Sequence, residues 1–236
     1  AGSVSSSAPG LARVARGLFG PVDIDFLAYF RVLFGLLMTY QVLSYFAVQS
    51  NGRTIITNFY LQPFHFTYAG FEWVRPWPGD GMSLHFVVMS ILAAGITFGI
   101  LYRFCAALFC LGWVYLFLLD KAYYQNHYYL VCLLTFWMTV LPANRAFSLD
   151  AAIWPAVCSA TVPAWTLWVL RLQIGIPYFF GGLAKLNHDW LHGEPMRSWI
   201  YSGKYSYIPE AMRQEGVVYA FAYGGLLFDL LIVPAL

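Results

Sequence analysis

The chain has 236 residues, 60% of them hydrophobic and only 10% charged, with a net charge of +2 and no basic block. A water-soluble domain carries about 25% charged residues, so these side chains cannot coat a water-facing surface, and the bilayer must be the solvent for most of the chain. The near-neutral balance speaks against a nucleic-acid partner.

A membrane helix needs about 20 mostly apolar residues. The N-terminal stretch, rich in Ser, Gly, Ala and Pro, lacks the continuous apolar region of a signal peptide. It reads as a tail (residues 1–22) with a short basic amphipathic piece around Arg13 and Arg16. Six membrane segments are expected after it: Phe26–Phe46, Met82–Tyr102, Phe104–Leu119, a short one at His127–Leu141, Pro163–Leu183 and Val217–Leu236. Only Arg103 separates the second from the third, so a tight hairpin and one long broken helix are both open. No strand pattern is visible, and lipid forbids open sheet edges. The expected fold is therefore an all-α, polytopic integral membrane helical bundle over residues 23–236. The last segment lacks a polar flank, which reads as a chain continuing beyond Leu236.

Two loops carry information. The Gln49–Gly81 loop, with "LQPFHFTYAGFEWVRPWPGDG", is too polar to cross and too aromatic to float free, so it should pack at the bundle mouth. Lys185–Gly216 should lie on a membrane face as short amphipathic helices. Counting positive charges by loop inverts the topology that a cytoplasmic N-terminus would give.

Ionisable groups in spans cost about 2.5–3.5 kcal/mol each on insertion scales. The set needing a reason is Arg31, Asp120, Lys121, Arg171, Lys185 and Asp229. Two readings stand for Lys121: a side chain snorkelling to the interface, or an amine stripped of water, lowered in pKa and usable as a general base. Asp120 could pair with Arg103 or cap the next segment. Asn126 reads as the N-cap of a helix starting at His127, and His127 could share a cavity with Lys121. His65, between two phenylalanines, could orient a ligand or move a proton, or simply be a hydrogen-bonded loop histidine. Arg171 needs a partner within the bundle, and Asp229 is the expected one. His188 and His192 have helical metal-pair spacing but no third ligand, so no metal is expected. His85 reads as interfacial. Cys105, Cys110 and Cys132 read as buried thiols in apolar runs, and no cysteine pair has zinc spacing.

The runs "DKAYYQNHYYL" (120–130), "GFEWVRPWP" (70–78), "PANRAFSLD" (142–150), "YFFGGLAKLNHDWLHGEPM" (178–196), "RVLFG" (31–35) and "GGLLFDLL" (224–231) resemble the transmembrane domain of vitamin K-dependent γ-glutamyl carboxylase and its bacterial HTTM-domain relatives. The resemblance implies a membrane enzyme that uses a reduced naphthoquinone (vitamin K or menaquinol), O₂ and CO₂ to carboxylate a peptide glutamate, with epoxidation of the quinone. It places Lys121 at the lysine that starts the cycle and His65 at a histidine near the quinone. Asp120, Tyr124, Asn126, His127 and Arg171 are then the candidates for contact with an isoprenoid quinol. The membrane would be a bacterial inner membrane or the endoplasmic reticulum. The rival readings are a quinol-oxidising or epoxidising enzyme without a protein substrate, and a non-catalytic membrane subunit.

Overall fold

The computed structural model describes residue 14 and residues 17–202 and 209–235; Arg13, Arg16 and Lys204 lie outside them. The chain divides into two units, Ala1–Leu167 and Trp168–Leu236.

The first unit is built on four helices that run up and down: α1 (Asp25–Ser44), α2 (Gly81–Phe98), α3 (Tyr102–Leu119) and α4 (Asn126–Val140). α1 packs on α2, α2 on α3 and α3 on α4. Each helix turns one stripe inward. In α1 the stripe is Leu27, Ala28, Arg31, Phe34, Met38 and Val42, at spacings of three and four that bring residues onto one helical face. The opposite faces expose Leu33 (66%), Leu37 (61%), Ile91 (65%) and Leu111 (66%). Leucine and isoleucine exposed on every side are what a helix bundle shows when its solvent is lipid.

Among the described residues five helices are long and apolar enough to span a bilayer: α1, α2, α3, α6 (Trp165–Ala184) and α9 (Glu215–Ala235). The expected fourth span forms α4 but has only 15 residues, about 22 Å at 1.5 Å per residue, short of a 30 Å core. One feature departs from the expected all-helical pattern: β1 (Pro21–Asp23) pairs antiparallel with β2 (Thr161–Pro163). This two-stranded clasp joins the chain before α1 to the chain before α6, and short α5 (Leu149–Ile153) lies at the same end.

The alternatives for the second and third spans resolve as a tight hairpin. It turns at Gly99 (φ +64°), where a Cβ would lie 2.5 Å from Ser148 Cβ and 2.6 Å from Arg31 Nη1. Leu101 also has positive φ. The turn frees backbone carbonyls at the end of α2 and N–H groups at the start of α3. Two buried charges take them. Arg31, fully buried, donates from Nη1 to the carbonyls of Ile96 (2.9 Å) and Thr97 (2.6 Å), from Nε to Ala143 O (3.0 Å), and from Nη2 to Phe147 O. Asp150, 5% exposed, accepts from the N–H groups of Leu101 (2.7 Å) and Tyr102 (3.0 Å) and from Asn144 Nδ2 (2.8 Å). A cation thus sits at one helix C-terminus and an anion at the next helix N-terminus, each where the backbone dipole favours it.

The second unit comprises most of α6, the short helices α7 (His188–Leu191) and α8 (Glu194–Tyr201), and α9. As expected, the segment after Lys185 folds into short helices. Arg197 on α8 joins Glu194 to Glu215 at the start of α9.

Two stability predictions follow from these contacts. Replacing Arg31 by Met orphans carbonyls in a dry interior, so the thermal unfolding midpoint in detergent should fall by several degrees, corresponding to about 3–5 kcal/mol. Gly35→Ala places a Cβ 2.4 Å from Thr97 Oγ1 and 2.7 Å from Thr97 N. Because backbone cannot step aside as a side chain can, this substitution should also lower the midpoint, read by intrinsic fluorescence during heating.

Candidate functional site

The end of the first unit opposite the Arg31–Asp150 hairpin collects the chemistry. α3 ends at Leu119, and Asp120 is extended (φ −150°, ψ 115°) before a single 3₁₀ turn at Lys121–Tyr123. Extended backbone sends successive side chains to opposite sides. Asp120 accordingly points inward and is 9% exposed, while Lys121 is exposed.

Asp120 is a hub. Its Oδ1 accepts from Ala122 N (2.8 Å), which caps the 3₁₀ turn, and from Phe66 N (3.3 Å). Its Oδ2 meets His65 Nδ1 at 3.2 Å. In return Lys121 N donates to Phe66 O (2.8 Å). The aromatic loop is therefore clamped to the end of α3 by backbone and side chain together. With Nδ1–H given to the carboxylate, the lone pair of His65 lies on Nε2, and that atom is buried without a partner. A histidine oriented by a carboxylate, with its second nitrogen uncommitted, can accept a proton.

Aromatic groups wall the region. Tyr45, Tyr60, Trp113, Leu116, Phe117, Tyr123 and Tyr128 line, with Asp120, a cavity of about 30 Å³, room for little more than a water. Tyr45 donates to the Tyr128 hydroxyl (2.9 Å), and Trp113 Nε1 donates to Tyr128 O (3.3 Å). Burial pushes the Tyr45 and Tyr60 phenols upward in pKa. Tyr68 stacks on Phe117 at 5.6 Å, and its hydroxyl is buried and unpartnered. Burial, then Tyr124, Asp120 and Cys132, raise its pKa. Outside this wall lies an open hollow of about 470 Å³, lined by Asn58, Gln62, Phe64, Phe66, Asp120, Ala122 and Tyr123. That falls within the 300–1,000 Å³ range of small-molecule sites.

Several expectations are corrected. Lys121 is not kept dry by the protein: it is exposed, and among the described residues no carboxylate pairs with it. Asp120 does not pair with Arg103 but holds His65 and caps the next turn. Asn126 is the first residue of α4, Gln125 occupies the N-cap position, and no side chain caps it. Asn126, His127 and Tyr124 are exposed, and His127 contacts the Tyr128 ring at 4.7 Å. The structure thus brings His65 and Asp120 into contact, with Lys121 next to them along the chain and Tyr124, Asn126 and His127 on the following surface. His85, read as interfacial, is half-buried within α2 against Tyr115 (5.1 Å).

Arg171 belongs to the second unit and does not meet Asp229. Asp229 is bonded to Lys185 Nζ, which also lies 5.0 Å over the Trp190 ring. His188 and His192 stack at 4.0 Å, and among the described residues no group of three metal-binding side chains assembles. Cys105 and Cys132 are buried, Cys110 is half-buried and Cys158 is exposed. Sequence reading missed Tyr45, Tyr60, Tyr68 and Tyr128; the tyrosine-rich run "AYYQNHYYL" was an available signal for Tyr128 alone.

No solved structure matches the chain. Residues 19–236 match the HTTM domain. With almost its whole length inside that match, and with apolar helices of spanning length, the chain is a membrane protein of the HTTM domain family.

Proposed function

We propose that this chain is a vitamin K-dependent γ-carboxylase-like membrane enzyme whose reacting centre is the hollow beside Asp120 and Lys121. The observation that carries the reading is the carboxylate-oriented His65, with its uncommitted Nε2, clamped beside a ring-sized hollow. HTTM membership supports the same reading, because that domain is associated with the vitamin K-dependent carboxylase family.

The fit to a reduced naphthoquinone is one of size and polarity. By volume the open hollow has room for a fused bicyclic ring, and the cavity of about 30 Å³ does not. Exposed Phe and Leu faces offer an isoprenoid tail a path along lipid. When bound, the reduced naphthoquinone together with O₂ supplies the base strong enough to remove a glutamate γ-proton ahead of CO₂ addition.

The chain's own contribution is proton handling and exclusion of water. Lys121, exposed and next along the chain to the hollow-lining Asp120 though not itself in the lining, is the proton acceptor in this reading. Its amine loses water when an occupant closes over it, rather than by burial in the fold. Asp120 holds His65 in one tautomer and fixes the loop against the end of α3. His65 Nε2 is a second proton-accepting site behind the Phe64–Phe66 edge, whose rings meet at 4.9 Å. The aromatic wall limits water at the rear. A glutamate-containing peptide is the partner this chemistry requires.

The test is incubation of the purified protein with reduced vitamin K or menaquinol, O₂, ¹⁴CO₂ and a glutamate peptide, following epoxide and fixed radiolabel. Lys121→Ala should lower both products by more than about 100-fold, the scale of general-base catalysis. Wild-type turnover in that variant would overturn the assignment, and loss of carboxylation alone would move Lys121 to a later step. Asp120→Asn puts an amide where the carboxylate orients His65, so it should lower both products by about 10–100-fold, as loss of orienting partners does elsewhere.

A further inference from the structure

Arg171 is the seventh residue of the spanning helix α6, about 9 Å along the axis from its start. Side chains on a helix point back toward its N-terminus. The Arg171 guanidinium does so, lying over the Trp168 ring at 5.2 Å, one turn earlier. Near the start of a membrane span that direction carries the cation toward the headgroup and glycerol region, where tryptophan also concentrates.

Among the described residues it has no carboxylate or carbonyl partner. The acidic groups of the second unit are elsewhere. Asp229 is bonded to Lys185, and Glu194 and Glu215 to Arg197. Asp189 stands on α7, beyond the far end of α6, and Glu210 in the 3₁₀ turn Glu210–Met212 that precedes α9. Below the guanidinium, Leu172, Gly175 and Phe179 of α6 and Val233 of α9 line an open groove of about 370 Å³. Leu172 is 63% exposed and Phe179 45%. The groove holds one cation at its interfacial end and is apolar from there inward, so its complement is a molecule with an anionic head and a hydrocarbon tail.

We propose that this groove is a binding site for an anionic phospholipid, its phosphate against Arg171 and an acyl chain along Gly175 toward Phe179. Guanidinium and phosphate match in a two-pronged hydrogen-bond geometry. A zwitterionic headgroup fits worse for two local reasons. The Trp168 face that could hold a quaternary ammonium is already covered by Arg171, and no carboxylate lines the groove to take a primary ammonium. The glycine leaves room for a chain against the helix backbone.

The test uses the purified chain in detergent, titrated with phosphatidylglycerol or phosphatidylcholine carrying brominated acyl chains, with tryptophan quenching as the readout. Phosphatidylglycerol should quench saturably and bind roughly fivefold tighter than phosphatidylcholine, the scale of one charge at a membrane surface. Most of that saturable quenching should vanish in Trp168→Phe. Arg171→Gln should erase the preference and Arg171→Lys should keep most of it, with circular dichroism checking that each variant is folded. Equal affinity for the two lipids in the parent chain, or a preference that survives Arg171→Gln, would overturn the proposal. So would quenching unaffected by Trp168→Phe, or a groove that a protein segment shields from the brominated lipid.

Discussion

In a lipid-solvated protein a chain reversal has no water to satisfy its backbone, so each carbonyl and N–H released at a turn must find a partner in the protein. At the Gly99 hairpin this requirement is met by two buried charges of opposite sign. Arg31 collects carbonyls from α2 and from the "PANRAF" loop, and Asp150 collects the first N–H groups of α3. Without them the α2–α3 turn would leave polar groups stranded, and α1 would lose its main polar tie to the loop after α4. The pair is structural, and its effect is to fix the relative height of four helices. That height determines what meets at the other end of the unit.

At that other end the same logic produces a site. Asp120 serves a helix break as Asp150 serves a helix start, by accepting backbone N–H groups. The difference is the third donor: Asp150 accepts from a side-chain amide, Asp120 from an imidazole. An amide completes a structural network. An imidazole with its other nitrogen free provides proton chemistry. A tyrosine-rich wall and an open hollow then complete an arrangement suited to a flat aromatic alcohol that arrives from lipid.

The helices were legible because span length and apolarity are properties of sequence alone; even the short fourth segment, expected at His127–Leu141, forms at Asn126–Val140, with Cys132, Leu134, Thr135 and Met138 buried. The site was legible in part. "DKAYYQNH" and "PFHF" were both singled out, but which member of Asp120–Lys121 turns inward depends on one residue's ψ angle. Had the helix continued, the two side chains would have diverged by about 100°; an extended Asp120 sends them to opposite sides. The Arg171–Asp229 expectation failed for a similar reason. Lys185 lies just past the end of α6, and Gly181 leaves room for the Asp229 carboxylate, whose Oδ2 is 3.1 Å from where a Cβ would stand. Spacing along one helix does not say which turn of another it faces. The β1–β2 clasp is three residues per strand, too short for any alternation to show.

The most direct test of the central claim, that Asp120 holds His65 with Nε2 unpartnered behind the wall of a quinol-sized site, is nitrogen-15 NMR of the histidine-labelled protein, with His65 assigned by subtracting the His65→Gln spectrum. The account predicts a protonated Nδ1, a bare Nε2, and a shift of the Nε2 resonance when a reduced naphthoquinone is added. A proton on Nε2 in the free protein, or His65 nitrogens that do not respond to the quinol, would contradict it.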